Sequence, residues 1–297
     1  MPFIVGSQAG GGAGVRGRVG GVSPAADDHQ LSLHRTLLEA LDGDPFVRFE
    51  LDPGTLADVE ARPGQAIAWV GQHRTGLRWA TGLAADPASD RDLKVAAELL
   101  TAVALRSAEA GSPVAGVTIS RGGRALLPAH LQQPEAWEWD LWWTERAPQE
   151  SSYAVPGAAL VDLDPDDARI AALLEVASPT ASIPAGDPRV ARWAGLEDPD
   201  GPGAPDTADT GGLVGLVAVT HHRSGAHHLN DVATHPARRG RRLARVVCGA
   251  VTAQSLAAGA PAVTLGMYAD NDAARALYAA LGFTCVRGQT SGRLAPA

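Results

Sequence analysis

The residues best suited to chemistry crowd into one stretch. Arg238, Arg239, Arg241, Arg242 and Arg245 surround Gly240, after a strand-like run from His227 to Thr234 and before a helical repeat of apolar residues at 243, 246, 247, 250 and 251. The first turn of a helix carries backbone amides with no acceptor inside the helix, and a glycine lets backbone approach a ligand with no Cβ in the way. Ringed by guanidinium groups, that combination suits phosphate. The plainer alternative is a solvated basic helix start.

Other groups with chemical potential lie on either side. His221-His222 and His227-His228 face each other across an expected hairpin around Arg223-Ser224-Gly225-Ala226. Paired imidazoles can hold a metal, but no carboxylate stands at matching spacing, so no metal site is expected. Asn271 precedes a helix expected over Ala273 to Leu281 and can cap its free amides. Ala274, Leu277, Tyr278 and Leu281 share one face of that helix, which leaves Tyr278 open to two readings, core packing or a phenol able to donate a proton.

The elements that must position these groups follow from periodicity. In the second half, Ala159 to Leu163 reads as a strand, then a helix starting at Asp164 with Pro165 in its first turn, then a loop and short helix over Pro184 to Trp193. Asp198 to Gly212 is a loop rich in Gly, Pro and Asp, and Leu213 to Thr220 pairs with His227 to Thr234. In the first half, Leu31 to Ala40 is helical, Val47 to Leu51 a strand, and Ala66 to Val70 with Leu77 to Gly82 a hairpin. Asp90 to Ala110 is a long helix and Val114 to Ile119 a strand. Glu135 to Trp143, with four of the seven tryptophans, reads as a half-buried strand whose rings pack in a core.

Composition bounds the partners. A net charge of -8 with pI near 5.6 argues against a nucleic-acid binder or an anionic-membrane binder. No apolar run reaches the length of a membrane span, and the Gly-rich residues 1–25 read as a tail without the features of a secretory signal. Cys248 and Cys285 sit in apolar surroundings, so no disulfide framework is expected and a cytoplasmic location fits.

The halves resemble each other. His73-Arg74-Thr75-Gly76 matches His222-Arg223-Ser224-Gly225, Asp86-Pro87 matches His235-Pro236, and the run Ser107 to Pro113 matches Ser255 to Pro261, at a spacing that slips by one residue. Opposite the arginine-glycine turn, the first half has Asp90 and Asp92 and no glycine. Carboxylates there would repel the phosphate that the second half attracts. The expected layout is a tail over 1–25, a degenerate copy over 26–146, a linker over 147–156 and a working domain over 157–297.

The order strand, arginine-glycine turn, helix, strand, and then Asn271-x-x-Ala274-x-x-Leu277-Tyr278-x-x-Leu281-Gly282-Phe283 resembles the GNAT superfamily of N-acetyltransferases. Arg239-x-x-Arg242-x-Ala244 aligns with the family's pyrophosphate-loop pattern, with Arg242 where the family usually has glycine. The C-terminus is a second departure, because only a polar tail follows Val286 where the family has a further strand; the tryptophan-rich strand of the first half could fill that gap. The resemblance implies an α+β fold of two tandem GNAT-like domains, each a mixed, mostly antiparallel sheet flanked by helices.

It also implies an acetyl-CoA-dependent N-acetyltransferase acting on a small-molecule or peptide amine. The main chain of Val232, Ala233 and Thr234 would pair with the pantetheine arm. Arg239, Gly240, Arg241, Arg242, Leu243 and Ala244 would hold the pyrophosphate, and Asn271 either caps its helix or also touches the cofactor. Tyr278 would protonate the departing thiolate, and Asp231 or His228 would serve as base to the amine. An acetyl-CoA-binding sensor or interaction protein without turnover is the alternative.

Overall fold

Short apolar runs punctuated by Gly, Pro and Asp give strands, and amphipathic stretches give the helices. The structure is a computed structural model that describes residues 24–73, 76–154, 160–198 and 205–295. The expected tail thus lies almost wholly outside the described residues. The fold is mixed α+β, with sheet strands flanked by helices, and the chain divides into two compact units.

The larger unit comprises residues 29–153, 221–229 and 249–297. Helix α1 (Pro24–Ala40) leads to strands β1 (Leu56–Arg62), β2 (Ala66–Gln72) and β3 (Arg78–Ala84), then α2 (Asp90–Glu109), β4 (Gly116–Ser120) and β5 (Trp137–Thr144). β1, β2 and β3 run antiparallel in turn, and β4 joins β3 in parallel after the α2 crossover. Leu93, Ala96, Ala97, Leu100, Val103 and Ala104 of α2 pack on this sheet, as the helical spacing requires. The expected strand over Val47 to Leu51 is instead a helical turn, Phe46–Glu50, in which Asp44 Oδ1 accepts the Phe46 amide at 3.0 Å. A local carboxylate cap outweighs the β preference of Val47 and Phe49 there.

The smaller unit comprises residues 154–220 and 230–248, with residues up to 28. It holds β6 (Leu160–Leu163), α3 (Ala168–Ala177), β7 (Val190–Glu197) and most of β8 (Leu213–His221). Two expectations are corrected here. Asp164 caps only a turn, accepting from the Asp166 amide at 2.9 Å, and α3 starts later, capped by Asp167. The expected short helix near Trp193 is strand β7, which pairs antiparallel with β6 on one side and β8 on the other, with Trp193 and Leu196 1% and 0% exposed.

Strand β9 (His227–Thr234) and helix α4 (Leu243–Ala257) contribute residues to both units, and the larger unit is completed by β10 (Val263–Tyr268), α5 (Asp272–Ala280) and β11 (Thr284–Arg293). β11 corrects the expected polar tail. Its Arg287, Gln289, Thr290 and Ser291 are buried, because it lies between β4 and β5 and pairs antiparallel with both. Buried polar side chains need partners. Arg287 meets Asp44 at 2.7 Å, and Ser291 Oγ sits 2.7 Å from Thr118 Oγ1 and 2.8 Å from Trp139 Nε1. The tryptophan-rich β5 pairs with β10 as well as β11, so a first-half strand does complete second-half pairing.

Candidate functional site

β9 departs from regular extended backbone at Asp231, whose φ is 45°. Its pairing with β10 covers only His227 to Leu229 against Val263 to Leu265, and Val232, Ala233 and Thr234 lie beyond it. Asp231 accepts the amides of Ser182 at 3.0 Å and Ile183 at 2.8 Å, one on each carboxylate oxygen. The carboxylate therefore fixes the loop after α3. Among the described residues Thr234 Oγ1, which is buried, has no hydrogen-bond partner, a costly state for a hydroxyl unless a ligand supplies one.

After β9 the chain turns at His235, whose Nδ1 accepts the Ala237 amide at 3.2 Å, and reaches Gly240 at φ 79° and Arg242 at φ 62°. Arg242 thus holds a left-handed conformation that a glycine would adopt without strain. The α4 bond from the Val246 amide to the Arg242 carbonyl, at 3.0 Å, leaves Leu243 and Ala244 in the first helical turn, where amides have no acceptor within the helix. Arg239, Arg241 and Arg242 are exposed, and no atom would lie within 4 Å of a Cβ built on Gly240. An anion has open access to this loop.

Arg238 does not join that positive ring. It is 4% exposed, turned inward, and bonded to Asp198 at 2.9 Å and to Asp206. Hydrogen bonds to Asp206, then to Asp198, raise its pKa further above the usual arginine range. It braces the loop at 205–210 and offers no charge to a ligand.

In the larger unit, Asn271 caps α5 by accepting the Ala274 amide at 3.0 Å. Tyr278 is the buried residue of that helix, 6% exposed, with its ring 5.8 Å from Phe283. Spacing had left Tyr278 open between core and chemistry, and its burial is compatible with both.

The hairpin histidines meet as expected, His221 stacked on His227 at 4.0 Å and His222 perpendicular to His228 at 5.3 Å. A third group was not foreseen. Glu50 places Oε1 3.0 Å from His228 Nδ1 and 3.5 Å from His222 Nε2, and Thr264 Oγ1 lies 2.9 Å from the same His228 nitrogen. Burial would raise the Glu50 carboxyl, but the imidazoles of His228 and then His222, with hydrogen bonds from His228 and Thr264, hold it down at about 2. Burial lowers His222. No local signal in the sequence could have joined Glu50 to His228, since 178 positions separate them.

Residues 170–283 match the model of the acetyltransferase (GNAT) family. The fold is similar to that of a GCN5-related N-acetyltransferase from Sphaerobacter thermophilus, at 16% identity and TM-score 0.51 over 93% of this chain and 95% of that one. Weaker likenesses are to a GCN5-related N-acetyltransferase from Kribbella flavida (15% identity, TM-score 0.44, 90% and 95% covered) and to a tandem GNAT protein from the clavulanic acid biosynthesis pathway (17%, 0.45, 91% and 97%). No curated protein matches the sequence. Among the described residues no helix is long and apolar enough to cross a membrane.

Proposed function

We propose that the protein is an N-acetyltransferase that moves the acetyl group of acetyl-CoA to a primary amine. The observation that carries this reading is the loop from Arg239 to Ala244. Its positive-φ residues Gly240 and Arg242, exposed arginines and first-turn amides make a receptor for the pyrophosphate. The main chain of Val232, Ala233 and Thr234 takes the pantetheine arm, and the unpartnered Thr234 hydroxyl supports that assignment.

The neutral amine attacks the thioester carbonyl directly. A C–N bond forms, the C–S bond breaks, the phenol of Tyr278 protonates the departing thiolate, and the proton lost from the acylated nitrogen passes through solvent to restore the phenol. Asn271 caps α5 and so sets the helix that carries Tyr278. Asp231 and His228, the two expected bases, are engaged, the first by backbone amides and the second by Glu50 and Thr264. We assign them positioning roles and give Tyr278 the proton transfer.

We read the first half as a degenerate copy. Its strands β3 and β4 pair in parallel around α2, as β9 and β10 do around α4. Where the second half leaves backbone to a ligand, the first half consumes its own. The Ala84 amide donates to Ser120 Oγ at 3.0 Å, its carbonyl accepts from Arg287, and the Asp86 amide donates to the Asp92 carboxylate at 3.3 Å.

Tyr278→Phe separates this reading from a sensor without turnover. A catalyst loses about 10²-fold or more in rate with donor affinity kept, whereas a sensor shows no acetyl transfer to any amine in the unmodified protein.

A further inference from the structure

Glu50, His222 and His228 bring one carboxylate and two imidazoles together from the turn Phe46–Glu50 and both arms of the hairpin at 221–229, all within the larger unit. One ligand atom from each lies within 4.8 Å of the other two. Ligands at about 2.0–2.1 Å from a tetrahedral zinc ion stand ~3.3 Å from one another. The separations of 3.0 Å and 3.5 Å from Glu50 Oε1 fall on either side of that edge length.

A second observation points the same way. His222 Nε2 is buried and makes no hydrogen bond among the described residues, its contact with Glu50 Oε1 being 3.5 Å long. Such a nitrogen costs free energy unless something binds it. The three side chains remain 12%, 25% and 15% exposed, so an ion can reach them from solvent. Two imidazoles and one carboxylate are a ligand set suited to zinc, with one tetrahedral position left to water. Among the described residues no other three such groups converge, and the stacked pair His221 and His227 has no carboxylate joined to it.

We propose that Glu50, His222 and His228 form a zinc site that ties the turn Phe46–Glu50 to the hairpin. The proposal uses none of the donor-binding residues at 232–234 or 239–244, and metal binding is read without acetyl transfer, so its failure is distinguishable from failure of the acetyltransferase reading.

The test is titration of chelator-treated full-length protein with Co2+, read by visible absorption, followed by Zn2+ displacement in a calorimeter. A single equivalent of Co2+ should give tetrahedral ligand-field bands that zinc abolishes. His222→Gln and Glu50→Gln should lose the bands, while His221→Gln and His227→Gln keep them. Circular dichroism of each variant in chelator separates lost ligation from lost fold, and His222→Gln, which removes a nitrogen that makes no hydrogen bond, remains informative if Glu50→Gln does not fold. Absence of bands in the unmodified protein, bands that survive His222→Gln, or bands lost with His221→Gln would overturn the site and leave only a hydrogen-bonded Glu50–His228 pair.

Discussion

Arg287 of the last strand and Asp44, 243 residues earlier, form a buried ion pair at 2.7 Å with side chains 6% and 8% exposed. Arg287 also donates to the Ala84 carbonyl, and Asp44 caps the turn that presents Glu50. The pair therefore links β11 to the end of β3 and to the turn that carries Glu50.

Removing one partner strands a buried charge. Arg287→Met should destabilise the protein by about 3–5 kcal/mol in urea unfolding, and adding Asp44→Asn should recover much of that loss. Equal destabilisation by the single and double variants would contradict a paired charge.

Arg242 in the left-handed region carries strain on the order of 1–2 kcal/mol. Arg242→Gly relieves it but frees the unfolded chain, so a net gain of about 0.5–1 kcal/mol is expected from denaturant midpoints. Gly240→Ala, with φ 79° and open space around its Cβ, should lose about 1 kcal/mol through backbone strain alone.

The lowered pKa of Glu50 sets an acid limb. Relative to its ordinary value of 4.5, the carboxylate contributes stability that is fully present above about pH 4.5 and lost as pH falls toward 2. His222, lowered by burial, adds a loss that begins as pH drops below its ordinary 6.5, where the unfolded chain takes up the proton first. In chelator, Glu50→Gln should flatten the lower limb and His222→Gln the upper one in melts recorded across pH 3–7.

The two thiols should differ sharply. Cys248 is buried, and burial raises its pKa to about 12, whereas Cys285 is exposed, with a pKa raised by partial burial and then by Asp140. Alkylation of native protein should mark Cys285 alone, faster as pH rises, with Cys248 reacting only after unfolding. Mass spectrometry of the native digest is the check, and early label on Cys248 would contradict the packing of α4.

Much of the frame was legible because periodicity is local. The hairpin of β2 and β3, α2, and the order β8, β9, α4, β10 all follow from spacing of apolar residues and turn signals. What escaped was non-local. β11 is polar in sequence yet buried in the fold, where Asp44 pairs with Arg287, and Thr118 and Trp139 bond Ser291. Trp193 joined a strand where a short helix was expected, since its partners on β6 and β8 are distant in sequence. In the site, the loop and its glycine could be read directly, but the inward turn of Arg238 depends on Asp198 and Asp206, and Glu50 reaches the histidines only through folding.

The central claim is that the loop from Arg239 to Ala244 binds acetyl-CoA, and calorimetric titration of the unmodified protein against Gly240→Asp tests it most directly. Aspartate tolerates a left-handed backbone better than most residues, and the open space at Gly240 accepts its side chain, so the variant should fold. The account predicts one-site binding in the unmodified protein and its loss when a carboxylate faces the pyrophosphate. Equal affinity in both proteins, or no binding in either, would contradict it.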